Sequence, residues 1–237
     1  MSEIINNSEN RKKKLKGLIL KLHEGTSQED VKAELMESLK QIPYGEVIEV
    51  EQELISEGLP EHEILRLCDV HSAVLDGHID LSASKNIPSG HPADVMVKEN
   101  TELKKLCDQI NNLLTKIDLN SQDFASELLK LRAYFNSLYD VDKHYKRKEF
   151  LLFPFLEKKG ITGPPKVMWG KHDEIRELIK GSIEVLKTED ITREDLLTSA
   201  EMLLSPATDG VFEMTKKEED ILLPMCLDKL SDAEWYE

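Results

Sequence analysis

Residues 144–157 read His-Tyr-Lys-Arg-Lys-Glu-Phe-Leu-Leu-Phe-Pro-Phe-Leu-Glu, and residues 214–227 read Met-Thr-Lys-Lys-Glu-Glu-Asp-Ile-Leu-Leu-Pro-Met-Cys-Leu. Laid side by side, His144 falls on Met214, Lys148 on Glu218, Glu149 on Glu219 and Pro154 on Pro224. The segments ahead of them repeat as well. Glu99-Asn100-Thr101-Glu102-Leu103-Lys104-Lys105-Leu106 matches Lys171-His172-Asp173-Glu174-Ile175-Arg176-Glu177-Leu178, with Asn100 on His172. A helical hairpin used twice is a duplicated structural unit. With short turns between them, two such hairpins predict an all-α, up-down four-helix bundle with approximate two-fold symmetry.

The bundle is expected over residues 86–237. Its first helix runs over about 92–117, with Val95, Leu103, Leu106, Ile110 and Leu113 inward. Ser121 is read as the cap of the second, which ends at Gly160 and bends at Pro154, where an interior proline removes a backbone hydrogen bond. Gly163-Pro164-Pro165 opens the third helix. Thr192 caps the fourth, with kinks predicted at Ser205-Pro206 and Asp209-Gly210. The apolar run Phe150–Leu156 reads as core.

Residues 1–85 read as a small N-terminal all-helical domain. Its first fourteen residues are taken as a frayed start ending in the solvated basic run Arg11-Lys12-Lys13-Lys14. Leu15, Leu18, Ile19 and Leu22 then recur at helical spacing and stop at Gly25. Ser27 caps a second helix with Val31, Leu35 and Leu39 on one face. Pro43 opens a third, with Val47, Val50, Leu54 and Ile55 inward. Pro60 opens a fourth, which carries Cys68 and His71. The linker is the stretch Ser82–Pro92, rich in Ser, Gly and Pro.

A net charge of −15 argues against sequence-independent nucleic-acid binding. The longest apolar run is too short to span a bilayer, so no membrane partner is expected. Three dispersed cysteines without a signal peptide fit a reducing cytoplasm and no disulfide framework.

In a bundle, metal sites are built from side chains on facing helices. Residues four apart on a helix lie about 40° apart and can share a site, whereas residues five apart diverge by about 140°. By that rule His144 shares a face with Lys148, Met214 with Glu218, and Glu149 is turned away unless a bulge brings it back. The inward set is then Asn100, His144, Lys148, His172, Met214 and Glu218. Within it, His144, His172 and Glu218 form a two-histidine, one-carboxylate set suited to iron or another first-row metal. Glu149 is a further candidate metal ligand.

Several stretches together carry a family resemblance. They are Leu67–His71, Gly90-His91-Pro92 with Glu99-Asn100, the His144–Pro154 stretch, Pro165–His172, and Lys217-Glu218-Glu219 through Pro224-Met225. In combination the chain resembles the hemerythrin-like (HHE cation-binding) proteins, in the subgroup where an uncharacterised helical domain precedes the bundle and a PAS sensor domain often follows. The resemblance implies a non-haem di-iron centre, with histidines from all four helices and carboxylates one turn after two of them. This chain departs from that pattern at Asn100 and Met214, which stand for histidines, and at Lys148, which stands for a bridging glutamate. The end at Glu234-Trp235-Tyr236-Glu237 is read as the front part of a longer signalling protein.

Three functions follow as expectations. The first is a cytoplasmic sensory or regulatory module that binds iron, non-haem or haem, with oxygen, nitric oxide or a redox signal as input. In its haem form His91, His71 and Met214 are cofactor contacts, and Phe135, Phe150, Phe153 and Trp169 line the pocket. The second is a metal-free scaffold for protein interaction. The third is a di-iron enzyme of iron handling or repair, against which Lys148 counts. A homodimer or a signalling partner is expected with the regulatory readings.

Overall fold

The computed structural model describes residues 2–38, 42–60, 63, 74, 78–82, 84–118 and 123–237. Among the described residues the fold is all-α apart from one short β bridge: a four-helix bundle, as the repeat predicts, preceded by a small helical domain. The described chain forms two compact units, each discontinuous in sequence. The first comprises Met1–Asn86, Leu152–Met168 and Lys217–Glu237; the second comprises Ile87–Leu151 and Trp169–Lys216. Among the described residues no helix is long and apolar enough to cross a membrane.

In the first unit, helix α1 spans Ser2–His23, α2 Gln28–Ser38 and α3 Tyr44–Ser56. Leu15, Leu18, Ile19 and Leu22 of α1, Val31 and Leu35 of α2, and Val47, Val50 and Leu54 of α3 are all buried in one cluster. Burying a side chain of this kind contributes roughly 1.5–3 kcal/mol. Gly25 stops the first stripe in the left-handed region, at φ 95°, where a side chain would be strained. The strands β1 (Ile42–Pro43) and β2 (Ile79–Asp80) pair in parallel, with Ile42 opposite Ile79. The basic run is more than a solvated start. Helix α1 is already formed ahead of it, Arg11 binds Glu46 of α3 through two nitrogens at 2.5 and 3.0 Å, and Lys12 reaches Glu49 at 3.2 Å. Leu39, Cys68 and His71 lie outside the described residues.

The bundle helices are α4 (Pro92–Asp118), α5 (Phe124–Leu138), α6 (Val141–Arg147) continued through a π turn (Lys148–Leu152) into α7 (Phe153–Lys158), and α8 (Gly163–Leu186). After these come α9 (Arg193–Ser199), a π turn (Ala200–Leu204), α10 (Ser205–Lys217), a π turn (Glu218–Leu222), α11 (Leu223–Lys229) and α12 (Asp232–Trp235). Thr192 caps α9 reciprocally with Asp195; Ser121, the expected cap of α5, lies outside the described residues.

Each π turn ends two residues before a proline: Leu152 before Pro154, Leu204 before Pro206, Leu222 before Pro224. A proline lacks its N–H and its ring collides with the carbonyl four residues back. That carbonyl falls inside each π turn, where the wider i→i+5 path makes room for it. The prolines therefore set local register shifts. Asp209-Gly210, where a kink is expected, lies within the continuous helix α10. Gly210 instead permits close packing on α8: a Cβ there would lie 2.9 Å from Ile175 Cγ1.

The buried stripe of α4 is Ala93, Met96, Asn100, Cys107, Ile110, Leu114 and Ile117, at helical spacing. Of the expected inward residues, Ile110 and Leu113 are buried, but Val95 is 47% exposed. Val95, Leu103 and Leu106 line a cavity instead. Within the run read as core, Leu152, Phe153 and Leu156 are buried, whereas Phe150 and Leu151 stand 60% and 63% exposed. In the second unit α4 packs against α5, α6 and α9. Arg193 Nη1 donates to the Ile117 carbonyl at 2.7 Å, satisfying an orphan acceptor at the C-terminal end of α4.

Candidate functional site

Asn100 on α4, His144 and Tyr145 on α6, Lys148 and Glu149 in the π turn, His172 and Arg176 on α8, and Met214 on α10 all belong to the second unit. Asn100, Lys148 and His172 have 0% exposure, Met214 and Tyr145 1%, and His144 and Glu149 3%. Glu218 belongs to the first unit, where it is fully buried at the start of its π turn.

Both interior histidines are held the same way. His144 Nδ1 lies 2.7 Å from Glu99 Oε2, and the other Glu99 oxygen accepts from Arg147 Nη2. The hydrogen bond from His144, with the Arg147 guanidinium behind it, keeps the Glu99 carboxyl below the usual carboxylate range. His172 Nδ1 lies 2.8 Å from Glu149 Oε1. Arg176 Nη2 donates to both oxygens of Glu149 at 2.8 Å, and its Nε donates to Asp142 at 2.8 Å. Burial pushes the Glu149 carboxyl up, against the pull of Arg176. Burial, with the charges of Lys148, Arg176 and His144 nearby, drives His172 well below the ordinary imidazole value. Its ring is neutral at neutral pH.

A carboxylate only accepts hydrogen bonds. Each of these bonds therefore places the ring proton on Nδ1 and, in the neutral ring, the lone pair on Nε2. Carboxylate-on-histidine is how proteins orient imidazoles that bind metals. His91 is set the opposite way. Its Nδ1 accepts from the Ala93 N–H at 3.1 Å, capping α4 and putting the proton on Nε2 of a neutral ring. To ligate through Nε2 it would have to give up that cap.

The π turn corrects one reading. Glu149, five residues after His144, is not turned away. In an i→i+5 turn the extra residue rotates both Lys148 and Glu149 inward. There Glu149 orients His172 and stands behind the imidazole. Lys148 places its ammonium 4.5 Å from the centroid of the Tyr145 ring, a cation–π contact, and Tyr145 stacks on His172 at 3.9 Å and 12°.

Glu99, Arg176 and Tyr145 were not foreseen as site residues. Arg176 is four residues after His172, one turn along the same face, and Glu99 and Tyr145 each adjoin a residue of the inward set. Spacing held those signals, but the pairing across helices did not show in it. Of the four aromatic residues offered for a haem pocket, Phe135 is buried core, Phe153 belongs to the first unit, and exposed Phe150 meets Trp169 edge-on at 5.6 Å.

Asn100 supplies the test of fit for a cation. Its amide nitrogen and oxygen are both buried and have no hydrogen-bond partner among the described residues. A buried amide is rarely left so, and costs roughly 1–3 kcal/mol. It marks a place in the helix interior that a polar guest would satisfy. Among the described residues, no three of His, Cys, Asp and Glu converge closely enough to hold an ion. Imidazole nitrogens and an amide suit a first-row cation in kind, while both oxygens of Glu149 are held by Arg176.

Interior histidines backed by carboxylates have the orientation that metal-binding imidazoles use. Residues 91–226 match the hemerythrin HHE cation binding domain, more than half of the chain, and the protein belongs to that family. Residues 15–81 match a family of unknown function (DUF438). No curated protein matches the chain.

Proposed function

We propose that the bundle is a regulatory cation-binding module that holds one first-row metal, iron by the family's habit, through His144 and His172. The observation that carries this reading is the shared Nδ1–carboxylate bond, at 2.7 Å on His144 and 2.8 Å on His172. It fixes tautomer and orientation in advance, and so lowers the cost of ligation. The Asn100 amide is the third donor of the proposal. When bound, such a metal supplies open coordination positions for a small exogenous ligand such as dioxygen or nitric oxide.

The side chains serve that role by placement. Tyr145 and Lys148 close one side of His172. His144 lies on the wall of a cavity of about 500 Å³ that Val95, Leu103, Leu106 and Arg147 also line, a route for a small ligand. Glu99 and Arg147 also line that cavity. Cys107 and Cys226 are buried free thiols, that of Cys107 pushed up to about 12 by burial, in keeping with a reducing cytoplasm.

The metal-free scaffold reading draws its support from Lys148, an interior cation already in place. Titration of metal-depleted protein with cobalt(II), read by calorimetry and visible absorption, separates the two. The cation reading expects binding that His144→Ala and His172→Ala each weaken by at least about tenfold, with folding retained by circular dichroism. Binding unchanged in both variants would leave the scaffold.

A further inference from the structure

The internal repeat pairs Lys148 with Glu218. Both are fully buried, and both open a π turn that ends two residues before a proline. The backbone device is thus duplicated, while the side chain it delivers to the interior has changed from carboxylate to ammonium. Lysine is almost never fully buried unless its charge is paired, and here the Tyr145 ring is one of its contacts.

We infer that Lys148 is a built-in cation that occupies the position a second metal would take, limits the module to one ion, and weakens that ion's hold on His172. This rests on the cation reading of His144 and His172.

Three observations support it. The Lys148 ammonium sits 4.5 Å from the Tyr145 ring, and the same ring stacks on His172 at 3.9 Å. Lysine, tyrosine and histidine therefore form one column, with the fixed positive charge one ring away from the imidazole. A fixed charge that close to the ring pair opposes further positive charge on the imidazole. A metal ion on His172 meets the same repulsion, which is strong in a poorly solvated interior. Finally, Glu149, the next carboxylate in the turn, is held on both oxygens by Arg176 and cannot neutralise an added ion without breaking that pair. The lysine therefore both fills a position and sets the affinity of its neighbour.

The test uses the full chain with cobalt(II) and zinc(II) salts as probes. Stoichiometry is read by native mass spectrometry, affinity by calorimetry, and folding by circular dichroism. Wild type is expected to take one ion per chain. Lys148→Met removes the charge at similar volume and is expected to keep one ion and bind it about tenfold tighter or more. Lys148→Glu makes the two copies alike and is expected to take two. Binding by Lys148→Met but not by wild type also supports the inference. One ion bound with equal affinity by wild type and Lys148→Met overturns the inference and leaves the cation reading intact. No binding by any of the three overturns both.

Discussion

The two copies of the bulged helix, 144–154 and 214–224, share a backbone and differ in what it carries. In each, a π turn precedes a proline and turns its first residue fully inward. The first copy delivers a lysine and then a glutamate that Arg176 and His172 hold. The second delivers Glu218 and leaves Glu219 only partly buried. The residue one turn earlier is an imidazole in one copy and the apolar thioether of Met214 in the other. Duplication preserves the geometry, because the proline requirement is steric and local. The chemistry drifts, because any side chain of about the right volume can occupy an inward position.

That contrast can be broken most sharply at the second residue of each turn. Glu149→Ala removes the shared partner of His172 and Arg176 from the interior and is expected to cost about 3 kcal/mol in denaturant unfolding. Glu219→Ala, at the matching position, is expected to cost less than about 0.5 kcal/mol. Equal effects would mean that the π turn does not distinguish the copies.

Asn100 and His172 are the next pair. Asn100→Leu removes an amide with no partner and is expected to stabilise cation-free protein by about 1–2 kcal/mol in the same measurement. Asn100→His makes the hairpins alike and is expected to tighten cobalt(II) binding rather than raise stability.

A pH experiment sharpens the comparison at Arg147 and its repeat mate Lys217. Arg147 binds Glu99, whose carboxyl is lowered. Lys217 draws the Glu51 carboxyl of α3 down, but burial outweighs it and raises that carboxyl to about 7. Glu99 takes up its proton less readily folded than unfolded, so its stabilisation is present above the unfolded value and fades as pH falls. Glu51 is the reverse. Folded protein holds the extra proton between about 4.5 and 7, so its contribution is lost as pH rises through that window. Glu51→Gln is expected to raise the melting temperature at pH 8 and leave it unchanged near pH 4.5. Glu99→Gln is expected to lower it at pH 8.

The smallest effect is expected at the rim of the turn. Phe150→Asp, which copies Asp220 of the second motif, is expected to change stability by no more than about 0.5 kcal/mol, because Phe150 is 60% exposed.

The fold was legible because periodicity and repeat are properties of the chain alone. The stripes of α1, α2 and α3, the stop at Gly25 and the cap at Thr192 all follow from spacing and local hydrogen bonding. The site was half legible. His144, His172 and Asn100 were marked by the repeat. Glu149 is turned away on a regular helical wheel unless a bulge returns it, and the π turn ahead of Pro154 is that bulge. Phe150 and Leu151 stand in the π turn, whose register shift moves the buried stripe, and Val95 is exposed because apolar character gives burial only on average. Glu99 and Arg176 were out of reach because ion pairs across helices depend on packing that no window of sequence contains.

The central claim is that His144 and His172 are preset as ligands by the carboxylates on their Nδ1 atoms. Nitrogen NMR of the histidine rings in metal-depleted protein, repeated after addition of zinc(II), tests it directly. Both rings are expected as the Nδ1–H tautomer, with the Nε2 resonances of both moving on zinc addition. Protons on Nε2 in the metal-depleted protein, or Nε2 resonances that zinc leaves unmoved, would contradict it.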